Sequence, residues 1–303
     1  MSYHSPVLLQ ECLDALNIKK DGLYVDATFG GGGHSKAILD LLSSSGRLIA
    51  FDRDQEAIAN RISDERLVLA HHDYRFLKRF ARYYGFDKVD GILADLGISS
   101  HQIDAAERGF STRFKESKLD MRMDQDAALS AYEVLNNYDG SKLNRLFKSY
   151  GELKNTNAIV KRLLNFRSIK PIEFAKDVFK ALDGMTPKSK ENQFYAQVFQ
   201  AVRIEVNQEL DSLKLFLEQC EKILKPNGRL VVMSYHSLED RIVKRFIKNG
   251  FNTAHTVLPE LQKKWSLKAL NTKPIIPCDK EIQLNSRARS AKLRIAEKIE
   301  DES

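Results

Sequence analysis

The run Asp26-Ala27-Thr28-Phe29-Gly30-Gly31-Gly32-Gly33-His34 joins an apolar stretch to a helical pattern through four consecutive glycines. Glycine lets the backbone turn tightly and lets a bound ligand come within contact distance of the chain. The full G-x-G-x-x-G pattern is missing, because its third position is Ser35 counted from Gly30 and Lys36 counted from Gly31. That argues against a dinucleotide with its pyrophosphate and for a ligand without one, although a glycine run by itself also suits a plain loop. Asp52 follows Gly33 by 19 residues, a spacing at which a carboxylate accepts hydrogen bonds from both ribose hydroxyls of an adenosine cofactor. Taken alone, Asp52 also fits a capping role within Asp52-Arg53-Asp54. Asp95 begins Asp95-Leu96-Gly97-Ile98-Ser99-Ser100-His101-Gln102. A carboxylate there can hold the charged amino acid portion of a cofactor or take a proton from a substrate amine. Tyr74 suits an adenine face or a core position equally.

These residues must be placed by the elements between them. Leu23–Thr28, Arg47–Phe51, Leu67–Ala70 and Val89–Ala94 are short apolar runs that end at or near the candidate residues. Helical spacing separates them over Ser35–Leu42, Gln55–Ile62 and Tyr74–Tyr84. Strands alternating with helices at this interval predict an α/β fold with a Rossmann-like, doubly wound parallel sheet. From Gly109 to Ile204 the alternation stops and the segments become amphipathic and helical, as in Leu143–Phe147, Ile159–Leu164 and Phe174–Phe179. It resumes with a helix over Glu205–Leu224, a turn at Lys225-Pro226-Asn227-Gly228 and a strand over Arg229–Ser234. The expected organisation is a discontinuous cofactor domain, 1–108 with 205–303, carrying an inserted helical substrate-recognition domain, 109–204.

Ser234-Tyr235-His236-Ser237-Leu238-Glu239-Asp240-Arg241 leaves the last of these strands. His236 there suits catalysis and Tyr235 suits stacking on an extruded base; the same residues also suit a strand-to-helix turn with Ser237 as cap. Leu119-Asp120-Met121-Arg122-Met123-Asp124 reads as a substrate contact or as a lock of the insertion onto the core, and Arg287, Arg289, Lys292 and Arg294 form a basic cluster suited to phosphates. The seven histidines show no ligand spacing with cysteines or carboxylates, so no metal is expected.

Charge is unevenly spread. The net +7 divides into +6 over residues 109–204, +7 over 241–303 and −6 over the rest, which holds the cofactor motifs. Basic segments of this kind attract a polyanion, although solvated lysine-rich helices give the same count. The three cysteines are too scattered for a disulfide framework. No apolar run has the roughly 20 residues that a membrane span needs, and Met1–Pro6 lacks the features of a leader. A cytoplasmic protein is expected, without membrane association.

The blocks from His4 to Leu9, Asp26 to Ser35, Asp95 to Gln102, Glu107 to Ser111, Leu119 to Asp124, Phe199 to Asn207, Ser234 to Arg241 and Ser286 to Ser290 resemble the ribosomal RNA small subunit methyltransferase H family, in order and over nearly the whole chain. The resemblance implies a class I methyltransferase fold with an inserted helical domain. It also implies S-adenosylmethionine as cofactor, and as reaction the methylation of N4 of a cytidine in the decoding region of 16S rRNA, with the small ribosomal subunit as partner. It implies Gly32, Gly33, His34, Asp52, Tyr74, Asp95 and Gln102 as cofactor contacts, and for Asp95 it favours that role over acceptance of the amine proton; Asp95 and His236 are the candidate catalytic groups read from the residues themselves. Tyr74 stands where the family often has phenylalanine, and Gly31 where it often has a larger residue. An NAD-dependent dehydrogenase and a non-catalytic RNA-binding protein are the rival readings; the incomplete glycine fingerprint opposes the first and the joint presence of the glycine loop, Asp52 and Asp95 opposes the second.

Overall fold

A computed structural model of the chain describes residues 6–251 and 265–300. Within it the chain forms two compact units, 1–97 with 210–303 and 98–209. In chain order the first unit begins with α1 (Leu9–Leu16), β1 (Leu23–Asp26), α2 (Gly33–Leu41), β2 (Arg47–Asp52), α3 (Gln55–Ile58), β3 (Leu67–His71), α4 (Leu77–Tyr83) and β4 (Val89–Asp95). The second unit holds α5 (Ser100–Asp104), α6 (Ala131–Asn137), α7 (Gly140–Ser149), α8 (Thr156–Ile169), α9 (Ala175–Ala181) and α10 (Glu191–Asn207). The chain returns to the first unit through α11 (Glu209–Ile223), β5 (Leu224–Ser234), α12 (Ser237–Asn249), β6 (Leu267–Ala269), α13 (Asp279–Leu284) and β7 (Lys292–Lys298).

The strands make one sheet in the order β3-β2-β1-β4-β5-β7-β6. The first five strands are parallel, and β7 runs antiparallel to both neighbours. β4 is buried along Val89–Ala94, as expected of a central parallel strand covered by helices on both faces. This is a Rossmann-like, mostly parallel sheet in which the last strand of the chain runs antiparallel. The order reverses between β1 and β4, which opens a crevice beyond their carboxyl ends where such folds take ligands. Asp26, Asp52 and Asp95 are the last residues of β1, β2 and β4.

Several elements differ from the sequence expectation. The helix expected over Gln55–Ile62 is a single turn, Gln55–Ile58, capped by Asp54, whose side chain accepts from Glu56 N. The helix expected from Tyr74 opens as a 3-10 turn, Tyr74–Phe76, before α4. The continuous helix expected over Glu205–Leu224 is broken at Gln208, which takes φ 50° between α10 and α11. The turn at Lys225–Gly228 is present as an excursion inside β5: Val89 pairs with Leu224 and Gly91 with Arg229, leaving Asp90 opposite the looped residues. Asp90 anchors that excursion by accepting from Lys225 Nζ at 2.6 Å.

The helical unit starts at Ile98 rather than Gly109 and ends at Glu209 rather than Ile204. The reason lies in the hydrogen bonds of its flanks. Arg108 is buried and donates to the carbonyls of Arg122 and Met123, while Asn207 donates to Met121 O at 2.7 Å and accepts from Met123 N at 2.8 Å. Residues on both sides of the expected boundaries therefore close on the same loop. Leu119, Met121 and Met123 join the core of this unit, and Arg122 pairs with Asp120 at 2.7 Å. The 119–124 block thus locks the insertion internally.

Candidate active site

The glycine loop is built by what lies under it. Asp26, fully buried at the end of β1, accepts from Ser35 Oγ at 2.7 Å and from Thr28 N at 3.1 Å. Both ends of the loop are thereby tied to one carboxylate. Sequence reading passed over Asp26, whose only signal is its place as the polar end of an apolar strand. Three of the four glycines divide the work. Gly32 takes φ +77°, the left-handed region, and a Cβ there would stand 2.9 Å from the Phe29 ring. A Cβ on Gly33 would meet Pro6 Cγ at 2.4 Å, so its bareness makes room for the chain's own preceding segment. Gly30, with φ +53°, has nothing within 4 Å of its Cβ position; its backbone is the approachable stretch of the loop.

Asp52 receives Gly30 N at 2.8 Å on one carboxylate oxygen and Asp54 N at 2.9 Å on the other. Burial pushes its carboxyl above the usual range against the pull of these two donors. Tyr74 packs edge-on against Phe216, with ring centroids 5.0 Å apart. Its turn is capped by Asp73, which also pairs with Arg53 at 3.2 Å and Arg75 at 3.0 Å.

Asp95 is the most closely supported of the candidates. Its backbone N donates to Thr28 Oγ1 at 2.7 Å, and its Oδ1 accepts from Tyr235 Oη at 2.8 Å. Its Oδ2 lies 3.8 Å from His34 Nδ1. That distance is within ion-pair range, but burial drives the imidazole down to about 4, so His34 is neutral near pH 7 and no ion pair forms. Burial, together with the neighbouring carboxylates Asp26 and Glu239, pushes Asp95 up to about 7. Burial likewise lifts Asp26 to about 7.

His34 is buried at the start of α2, where it bonds the backbone of Val7, and its Nε2 has no hydrogen-bond partner among the described residues. An orphaned ring nitrogen and carboxylates strained by their own charge form a donor set that suits a cationic ligand with hydroxyl groups. Such an arrangement is a fair match for S-adenosylmethionine, with its sulfonium, ammonium and ribose.

Gln102 is in α5 of the second unit, where its side-chain oxygen accepts from Ser99 N while Ser99 Oγ accepts from Gln102 N. His236 is itself the N-cap of α12, one residue before the expected cap Ser237. Its neighbour Glu239 accepts from Tyr235 N at 3.0 Å and stands 3.2 Å from His236 Nε2. In the C-terminal basic cluster, Arg294 is buried and holds Asp240 through two hydrogen bonds, at 2.6 and 3.2 Å. Lys292 approaches the same carboxylate at 3.7 Å, and of the four only Arg289 is exposed. The strand period of β7, invisible in a run that also suits a helix, turned part of a supposed phosphate site into a core ion pair. Residues His4 and Ser5 of the first family block lie outside the described residues.

Comparison with known proteins bears on this geometry. The model of the MraW methylase family matches residues 1–299. The chain belongs to the MraW methylase family. Ribosomal RNA small subunit methyltransferase H of Flavobacterium johnsoniae is 53% identical over 303 residues, covering 99% of each chain. Its counterpart of the same name in Christiangramia forsetii is 52% identical, again covering 99% of both. Among solved structures, an rRNA methylase from Streptococcus thermophilus aligns over 99% of each chain at 14% identity with a TM-score of 0.43. As a member of this family the protein is a methyltransferase whose cofactor is S-adenosylmethionine. No helix among the described residues is long and apolar enough to cross a membrane.

Proposed function

We propose that the protein methylates the N4 amine of a cytidine in the decoding region of 16S rRNA, on the small ribosomal subunit and in the cytoplasm. The observation that carries the reading is the acidic carboxyl edge of the sheet, with Asp52 and Asp95 at the ends of β2 and β4, the strands on either side of β1. The names borne by relatives above 50% identity support a ribosomal RNA of the small subunit as substrate.

When bound, S-adenosylmethionine supplies an electrophilic methyl on a cationic sulfur. The chain's own groups then have separable tasks. Asp52, already oriented by Gly30 N and Asp54 N, holds the ribose hydroxyls. Asp95 holds the ammonium, and a cation beside it would draw its proton off. His34, neutral and buried, offers its orphaned nitrogen to a neutral polar group. Gly32 shapes the loop, Gly33 seats Pro6 against it, Tyr74 flanks the adenine and Gln102 is a further cofactor contact implied by the family resemblance. His236 orders the entry to α12.

An exocyclic cytosine amine is a weak nucleophile because its lone pair is delocalised into the ring. Alignment of that nitrogen with the methyl is therefore the main lever, worth several kcal/mol. RNA is held by the exposed lysines of the insertion through its phosphates. The test is transfer of labelled methyl to small subunits lacking the modification, followed by nucleoside analysis. Label in N4-methylated cytidine supports the reading, and label in another nucleoside overturns it.

A further inference from the structure

We infer that Tyr235 is a positioning residue that fixes the Asp95 carboxylate for the cofactor's ammonium group. The inference rests on the proposed role of Asp95 but assigns a task to a residue outside the family's implied contacts. Tyr235 follows β5 directly, and its backbone is pinned by the hydrogen bond from its N to Glu239 Oε2 at 3.0 Å. Its ring lies along Gly97, where a Cβ would stand 3.4 Å from the ring and where φ is +100°. The positive φ at residue 97 is what favours glycine there, and the ring packs over it at van der Waals distance. From this slot the phenol donates to Asp95 Oδ1 at 2.8 Å, which occupies one oxygen and orients the other.

The groups that bear on Asp95 from the surrounding elements are Asp26 at the end of β1, His34 on α2, Cys12 on α1 and Glu239 on α12. Asp26 and Glu239 favour the protonated acid, and His34 and Cys12 are neutral near pH 7. Among the described residues, the side chain that favours the ionised form is the Tyr235 hydroxyl. Burial and Asp95 itself keep that phenol well above its ordinary range, so it remains a donor throughout the working pH range.

Removing the hydroxyl as Tyr235→Phe keeps the ring and deletes the donor. The expected result is a rise in the Asp95 midpoint by about one pH unit. S-adenosylmethionine then binds roughly tenfold more weakly near pH 6 and with wild-type affinity near pH 9. In an Asp95→Asn background the same substitution leaves affinity unchanged. A uniform loss at every pH, or an equal loss in the Asp95→Asn background, overturns the inference, because either marks a merely structural tyrosine. The Asp95 carboxyl carbon, followed by NMR in the ligand-free protein, reads the same shift without cofactor. An unmoved midpoint there overturns the role of Tyr235. A moved midpoint with pH-independent cofactor affinity upholds the effect of Tyr235 on Asp95 and overturns the cofactor role of Asp95 instead.

Discussion

The two units use charge in opposite ways. In the α/β unit a few carboxylates sit at strand ends, desolvated and each bonded to named partners: Asp26 to Ser35 and Thr28, Asp52 to Gly30 and Asp54, Asp95 to Tyr235. In the helical unit the basic excess is carried by exposed side chains such as Lys161, Lys180, Lys188 and Lys190. Buried charge in fixed geometry is costly and selects one ligand; exposed charge is cheap, additive and screened by salt. The contrast teaches that a small cation is recognised by few atoms and a polyanion by many.

The sharpest break of that contrast is Asp52→Ala, which removes the proposed ribose acceptor and the partner of Gly30 N. S-adenosylmethionine affinity should fall by roughly a hundredfold or more, about 3 kcal/mol, as read by calorimetry. Subunit binding should be little changed.

Next is Arg294→Ala, which leaves Asp240 without its main cation. A loss of about 3 kcal/mol of stability is expected, seen as a lowered Tm. Salt dependence of subunit binding should stay as in the wild type, because Arg294 is not a phosphate contact. By contrast Arg289→Ala should reduce that dependence and leave Tm alone.

Reversing Lys180, Lys188 and Lys190 to Glu should weaken subunit binding by about tenfold or more at low salt, with a shallower salt slope.

The smallest effect is on pH. Asp26 and Asp95 have folded values near 7, above the ordinary carboxylate value of 3.8. A raised acid binds more protons folded than unfolded, so this contribution favours the fold at low pH and fades as pH rises from about 4 through 7. The ligand-free protein should lose part of its stability across that window. A bound cation prefers the ionised carboxylates, so S-adenosylmethionine should restore more stability at pH 8 than at pH 6, by thermal melts.

Much of the α/β unit was legible because strand ends and chemistry coincide: Asp52 and Asp95 each close an apolar run, and the glycines follow the first. β7 was missed because Lys292–Lys298 carries no turn signal and mixes apolar with charged residues, and its strand partners β5 and β6 lie far from it in sequence or carry no strand signal of their own. Asp26 was missed because a fully buried carboxylate looks, in sequence, like any polar residue that ends a strand. Tyr235 was noticed as an aromatic, yet its bond to Asp95 spans 140 residues and only the sheet brings the two together. The break at Gln208 depends on one left-handed residue that no propensity demands.

The division between an acidic cofactor edge and a basic RNA surface is tested most directly by titrating S-adenosylmethionine into the wild type and the Lys180, Lys188 and Lys190 charge-reversed protein at pH 6 and pH 8. Equal affinities in the two proteins, rising together with pH, are the expected result. A cofactor affinity that changes with the insertion's charge, or that ignores pH, would contradict it.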